Sequence, residues 1–302
     1  GMRKLFRWAV ALAVVAIPLG LWLSSPERID PGLLEGHSAD TERGRLVFYA
    51  GGCASCHAAP KAEGEDKLVL SGGKAFASPF GTFHAPNISP SDAGIAGWSD
   101  EDLANAMIHG VSPDGAHYYP AFPYTSYQRA KPGDIVDLKA FLDTLPASDV
   151  ANVPHDVPFP FNIRRGLGLW KLAFLDPSPV LDPGADPQLE RGRYLVEALG
   201  HCTECHTPRN LLGVSQRDYW LGGAPDPSGK GRIPNITPHE TGLGGWSVEE
   251  IAYYLETGFT PEFDVAGGEM ADVVLNTGEL TPEDRMAMAA YLKATAPQET
   301  RK

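Results

Sequence analysis

The sequence predicts an all-α chain made of two tandem domains behind an N-terminal membrane-targeting helix. Three observations carry this expectation: an uncharged apolar stretch beside a basic N-terminus, an internal repeat at an offset of 148 or 149 residues, and helix-capping signals set in Gly- and Pro-rich chain without strand alternation. The 302 residues suit about two domains, and an apolar content of 43% is enough to fill real cores. The net charge of −13 argues against nucleic-acid binding, which needs a basic footprint.

The first element is the targeting segment, residues 1–25. Arg3, Lys4 and Arg7 form a positive flank, and Trp8 to Leu23 follow as 16 residues without a charge. The basic flank stays on the cytoplasmic side, so the chain beyond Leu23 is expected on the outer, periplasmic side of a bacterial-type inner membrane. The stretch lies between a signal-peptide core and a full span of roughly 20 residues. Two readings stand, an uncleaved anchor and a removed signal peptide, and both give the same compartment.

The repeat comes next. Glu42-Arg43-Gly44-Arg45 recurs as Glu190-Arg191-Gly192-Arg193, Pro86-Asn87-Ile88 as Pro234-Asn235-Ile236, and Gly97-Trp98-Ser99 as Gly245-Trp246-Ser247, each 148 residues on. Cys53-Ala54-Ser55-Cys56-His57 recurs as Cys202-Thr203-Glu204-Cys205-His206 at 149. Each half then reads alike, with an opening helix near 40–50 and 186–200 just before the cysteines. Ser99 with Asp102, and Ser247 with Glu250, start a capped middle helix that Gly110 or Gly258 stops. A closing helix is expected near 133–145 and 282–295, the second announced by Thr281-Pro282-Glu283-Asp284. The expected boundaries are 38–146 for the first domain, 147–185 for a proline-rich connector and 186–297 for the second domain. Within the connector, Ile163 to Leu175 carries Trp170 and Phe174. It reads either as packing between the domains or as a docking surface for a partner or membrane.

The chemistry lies in the Cys-x-x-Cys-His pairs. Two thiols at this spacing can each add to a haem vinyl group, and the adjacent histidine then falls under the iron. Cys53, Cys56, Cys202 and Cys205 are therefore expected to attach two c-type haems, with His57 and His206 as iron ligands. A redox dithiol or a shared zinc site is the competing reading of a bare Cys-x-x-Cys. Both copies carry the extra histidine and follow an export signal, which favours haem.

The sixth iron ligand differs between the halves. Met107, Met286 and Met288 fall in helical patterns, where methionine fills cores. Met270 lies in the polar stretch Gly267-Gly268-Glu269-Met270-Ala271-Asp272, expected as loop, 12 residues past Gly258. It is assigned to the second iron, where thioether ligation raises the potential. The corresponding place in the first half, 12 residues past Gly110, is Phe122, which cannot bind iron. His117, His84, His109 and Met107 are the neighbouring candidates, and a five-coordinate iron with an open sixth position is the other possibility.

On these residues the chain resembles the diheme and multiheme cytochromes c that include the cytochrome subunits of periplasmic alcohol- and aldehyde-type dehydrogenases. The likeness covers roughly residues 40–295. It rests on Cys202-Thr203-Glu204-Cys205-His206-Thr207-Pro208-Arg209-Asn210, on both Pro-Asn-Ile blocks, and on His109-Gly110-Val111 leading into Tyr119-Pro120-Ala121-Phe122-Pro123-Tyr124. The resemblance implies tandem cytochrome c domains and electron transfer from a dehydrogenase subunit to quinone or another cytochrome. It also implies that the carbonyls of Pro86 and Pro234 hold the proximal histidines. Many members have methionine where Phe122 stands, and many carry a third haem domain, for which no third motif is present here. No catalytic residue is assigned. The alternative is a diheme enzyme, peroxidase-like or acting on sulfur compounds, which would use an unusual first haem.

Overall fold

The computed structural model describes residues 1–227 and 231–301. Its first element, α1 (Met2–Leu23), is a helix of 22 residues that buries no side chain. At 1.5 Å per residue it is about 33 Å long, the thickness of a bilayer's hydrocarbon core. Beyond it the chain joins the globular body. Ile29 enters the core, and its N–H donates to Asn105 Oδ1 at 2.7 Å.

The first half contains α2 (Thr41–Ala50), α3 (Cys53–His57), the hairpin β1 (Ala75–Ser78) with β2 (Gly81–His84), α4 (Asp100–Ala104), α5 (Tyr124–Tyr127) and α6 (Pro132–Leu142). The connector supplies α7 (Gly166–Phe174). The second half contains α8 (Pro187–Arg193), α9 (Thr203–His206), β3 (Ala224–Pro225) with β4 (Arg232–Ile233), α10 (Val248–Thr257), α11 (Glu269–Thr277) and α12 (Pro282–Ala294). Two wide turns continue α4 over Asn105–His109 and α8 over Tyr194–Leu199.

Local chemistry explains the boundaries. Ser99 and Ser247 each close a full capping box, with Asp102 and Glu250 returning the bond to the cap N–H at 2.9 and 2.7 Å. Gly110 and Gly258 end these helices with φ of 59° and 77°, a conformation a side chain resists. Two expectations are corrected. The all-α reading missed both hairpins, because strands of four and two residues are too short to show alternation. Met270 lies in the first turn of α11, where the sequence suggested loop. The glycines before it hid the helix start, and Gly268 at φ 58° makes the turn that allows it.

The repeated Glu-Arg-Gly-Arg block has a packing cause. In each half the opening helix crosses the closing one at its glycine. A Cβ at Gly44 would lie 2.0 Å from the Asp137 carbonyl oxygen, and one at Gly192 would lie 2.0 Å from that of Ala287. The arginine before each glycine reaches the same partner helix. Arg43 Nε bonds Asp137 at 2.9 Å, and Arg191 Nε bonds Asp284 at 2.8 Å. Buried apolar side chains from both halves, among them Phe48, Ile135, Leu195 and Tyr291, form one continuous core.

Candidate haem-attachment sites and the surface between them

Both Cys-x-x-Cys-His segments fold as a single helical turn, which brings the two thiols and the histidine onto one short element. Burial pushes the Cys53 and Cys202 thiols up to about 12 and Cys56 to about 11, and it raises Cys205 as well. These are protonated thiols in an apolar setting, unlike the activated thiolates of redox dithiols. Among the described residues no three His, Cys, Asp or Glu side chains converge as a metal cluster.

The histidines are held alike. His57 Nδ1 donates to the Pro86 carbonyl at 2.8 Å, and His206 Nδ1 to that of Pro234 at 2.7 Å. Each bond fixes the tautomer and leaves the Nε2 lone pair for a metal. Burial keeps both imidazoles below the ordinary histidine range, so they are neutral near pH 7. The proline loops are fastened in turn. Asn87 Nδ2 donates to the carbonyls of Ser148 and Val150, and Asn235 Nδ2 to that of Gln298. Gly72 and Gly223 donate their N–H to the His57 and His206 carbonyls at 2.7 and 2.8 Å. A Cβ at Gly72 would clash with the Pro86 carbonyl group at 2.5 Å.

The surroundings fit a porphyrin. Ile88, Trp98 and Phe122 in one half, and Ile236, Trp246 and Met286 in the other, are half-buried apolar groups bordering the core. His84 Nδ1, Arg164 Nε and Thr203 Oγ1 are buried polar atoms without a protein partner.

The candidate distal residues separate. Met107 and Met288 are core residues, 5% and 4% exposed. His117 turns away from the motif and spends both ring nitrogens elsewhere. Its Nε2 donates to the Ser24 carbonyl at 2.8 Å, and its Nδ1 accepts from Lys171 at 3.1 Å. His109 faces Glu27 at 3.8 Å. His84, on β2, keeps its free Nδ1. Phe122 stacks edge-on against Tyr118 and Tyr127. Met270 is half-buried on α11. Arg209, one candidate for a propionate contact, is bonded to Glu204 and to the Gly213 carbonyl.

The two motifs face each other across the junction of the halves. His201 Nε2 donates to the Gly51 carbonyl at 3.1 Å, and Tyr127 donates to the same oxygen. Thr125 donates to Glu204 at 2.7 Å, and Asn276 to Ser55 Oγ at 2.8 Å. Lys74 bridges the Ser55 carbonyl and Glu269, while Lys67 pairs with Asp272. Sequence reasoning missed these residues. Lys74 and Glu269 are 195 positions apart and belong to no motif, so only the fold joins them.

Comparison with known proteins shows the family. The cytochrome c family model matches residues 41–146. A "Diheme cytochrome c-type" protein of Cereibacter sphaeroides is 56% identical over 293 residues, covering 97% of this chain and 98% of the relative. The fructose dehydrogenase cytochrome subunit of Gluconobacter japonicus is 37% identical over 88% of this chain and 54% of its own length. The cytochrome c subunit of alcohol dehydrogenase (quinone) from Gluconobacter oxydans is 33% identical, covering 97% of this chain and 60% of the relative. This chain thus matches the diheme relative end to end and spans little more than half of those dehydrogenase subunits.

Proposed function

The chain belongs to the diheme c-type cytochromes, and from that premise we propose that it relays electrons from a dehydrogenase-type donor to quinone or another cytochrome on the periplasmic side of the inner membrane. It would do so as two haem-bearing units, residues 38–146 and 186–297, joined by the connector 147–185 and anchored through α1. The carrying observation is the pair of Cys-x-x-Cys-His turns, each with its histidine Nδ1 on a proline carbonyl, set face to face across one junction.

Cys53 and Cys56 would hold the first haem, with His57 on its iron. Cys202 and Cys205 would hold the second, with His206 and Met270 as its ligands. When attached, the iron porphyrin supplies a one-electron couple. The protein's part is to position and to exclude water. The neutral imidazoles present Nε2, the proline carbonyls raise their basicity, and the four cysteines would fix each ring to the backbone through thioethers. The bonds from Lys74, Asn276, His201 and Thr125 tie the two attachment segments to each other.

The test has two parts. The matured protein should gain the mass of two covalent haems that survive denaturation, and reduction with a dehydrogenase-donor preparation should be followed by oxidation with a quinone. Retention of unmodified thiols would overturn the reading. Phe122 favours a second reading, in which the first haem is open and reacts with peroxide or a small ligand. Electron paramagnetic resonance decides between them: a high-spin signal with carbon monoxide binding to the reduced protein supports the open site, and two low-spin signals exclude it.

A further inference from the structure

The foot of α1 is built into the connector. Arg165 donates to the Leu21 carbonyl and, through Nε, to Ser24 Oγ at 2.8 Å. The Ser24 carbonyl accepts from His117 and lies 2.3 Å from where a Cβ on Gly168 would stand. Ser24 is only 3% exposed. If α1 crosses the bilayer, its last turn lies at the outer headgroup boundary, and α7 is bonded to that turn. A helix is about 10 Å across, so α7 lies within interfacial depth.

The side of α7 that faces away from the body is apolar. Gly168 and Lys171 point inward, whereas Leu169 and Leu172 are exposed at 46% and 63%. The surface continues beyond the helix. Trp170 Nε1 donates to the Leu212 carbonyl at 2.9 Å and so ties in the loop at Leu211, which is 96% exposed. That loop rests on Phe80, whose ring is 5.2 Å from Phe161. Phe159 and Ile163 extend the same exposed run. The basic groups of this segment are used internally. Arg165 holds α1, Lys171 donates to the carbonyls of His109 and Gly110 and to His117, and Arg164 lies over Tyr119. A face whose charges are spent inward, next to a membrane helix, suits lipid better than a charged protein partner.

We propose that α7, the run from Phe159 to Ile163 and the loop at Leu211 form a second membrane contact, seated in the lipid interface and setting the tilt of the cytochrome above the bilayer. This rests on the anchoring reading of α1, and one experiment separates the two. The full matured chain is placed in nanodiscs of phosphatidylethanolamine and phosphatidylglycerol doped with a phospholipid bearing an acyl-chain diazirine. After illumination, adducts are mapped by mass spectrometry. Adducts are expected on α1 and on peptides covering residues 159–175 and 210–213, and none on Phe263, which is 88% exposed in the segment between α10 and α11. Adducts confined to α1 would overturn the proposal and leave the face to a protein. An unlabelled α1 would overturn the anchor together with it. The double variant Leu169→Glu/Leu172→Glu alters only exposed positions. It should cut labelling of 159–175 and 210–213 about fivefold or more while α1 labelling holds; unchanged labelling would count against the proposal.

Discussion

His57 and His206 are each governed by one atom they do not choose, the carbonyl oxygen of a proline 28 or 29 positions on. Their neutrality and orientation follow from burial and that bond. The distal side is where the halves diverge. With Met270 on the second iron, Met270→His should lower that haem's potential by on the order of 0.1 V, since axial ligands command roughly 0.8 V in all. A spectroscopic redox titration measures it, and an unmoved potential would remove Met270 from the ligand set. Asp137 offers a second prediction. Burial pushes its carboxyl up, but bonds from Arg43 and His37 outweigh this and hold it below the usual carboxylate range. A carboxylate depressed by folding contributes stability above its unfolded pKa, about 4, and loses it as pH falls through the folded value. Thermal melts between pH 3 and 7 should therefore show an acid limb, and Asp137→Asn should flatten it. The proline-held histidines were legible in the sequence because a Cys-x-x-Cys-His turn and a Pro-Asn-Ile block are local patterns. Asp137, Lys171 and Lys74 were not, because a polar partner supplied by a distant segment is chosen by three-dimensional proximity and leaves no local pattern.

Among the helices, the best-marked were those with chemical punctuation. The boxes at Ser99 and Ser247 and the stops at Gly110 and Gly258 were readable because caps are local. The hairpins and α11 were not, since their register depends on tertiary contacts. Helix crossing yields a sharp prediction. Gly192→Ala should destabilise the chain by about 1–3 kcal/mol through overpacking against the Ala287 carbonyl. Gly44→Ala should act similarly against Asp137. Guanidinium denaturation midpoints test both, and a neutral result at either would mean that the helices there part without cost. Ser247→Ala, which removes only a cap, should cost about 1 kcal/mol.

Over the whole molecule, the halves repeat each other in sequence yet meet through contacts that have no counterpart in the repeat. Glu204 accepts from Thr125 and Ser126 of the first half and pairs with Arg209 of its own. Its side chain is 15% exposed. Glu204→Ala should cost about 2–3 kcal/mol, because it strands charged and hydroxyl donors. The same change should loosen the separation of the two attachment turns, read as altered magnetic coupling between the haems by paramagnetic resonance. By contrast, Arg45 with Glu279 and Lys67 with Asp272 are partly exposed pairs, so raising the salt to 1 M should leave the melting temperature nearly unchanged.

The mooring of α11 has a consequence for modularity. The helix that carries Met270 belongs to the second repeat, but its first turns are gripped by lysines of the first, at Glu269 and Asp272. The second repeat is therefore tied at this helix to side chains of the first. If the chain were severed within the connector, the carboxy-terminal product would keep Cys202, Cys205 and His206 but lose the ion pairs that Lys67 and Lys74 make at the start of α11.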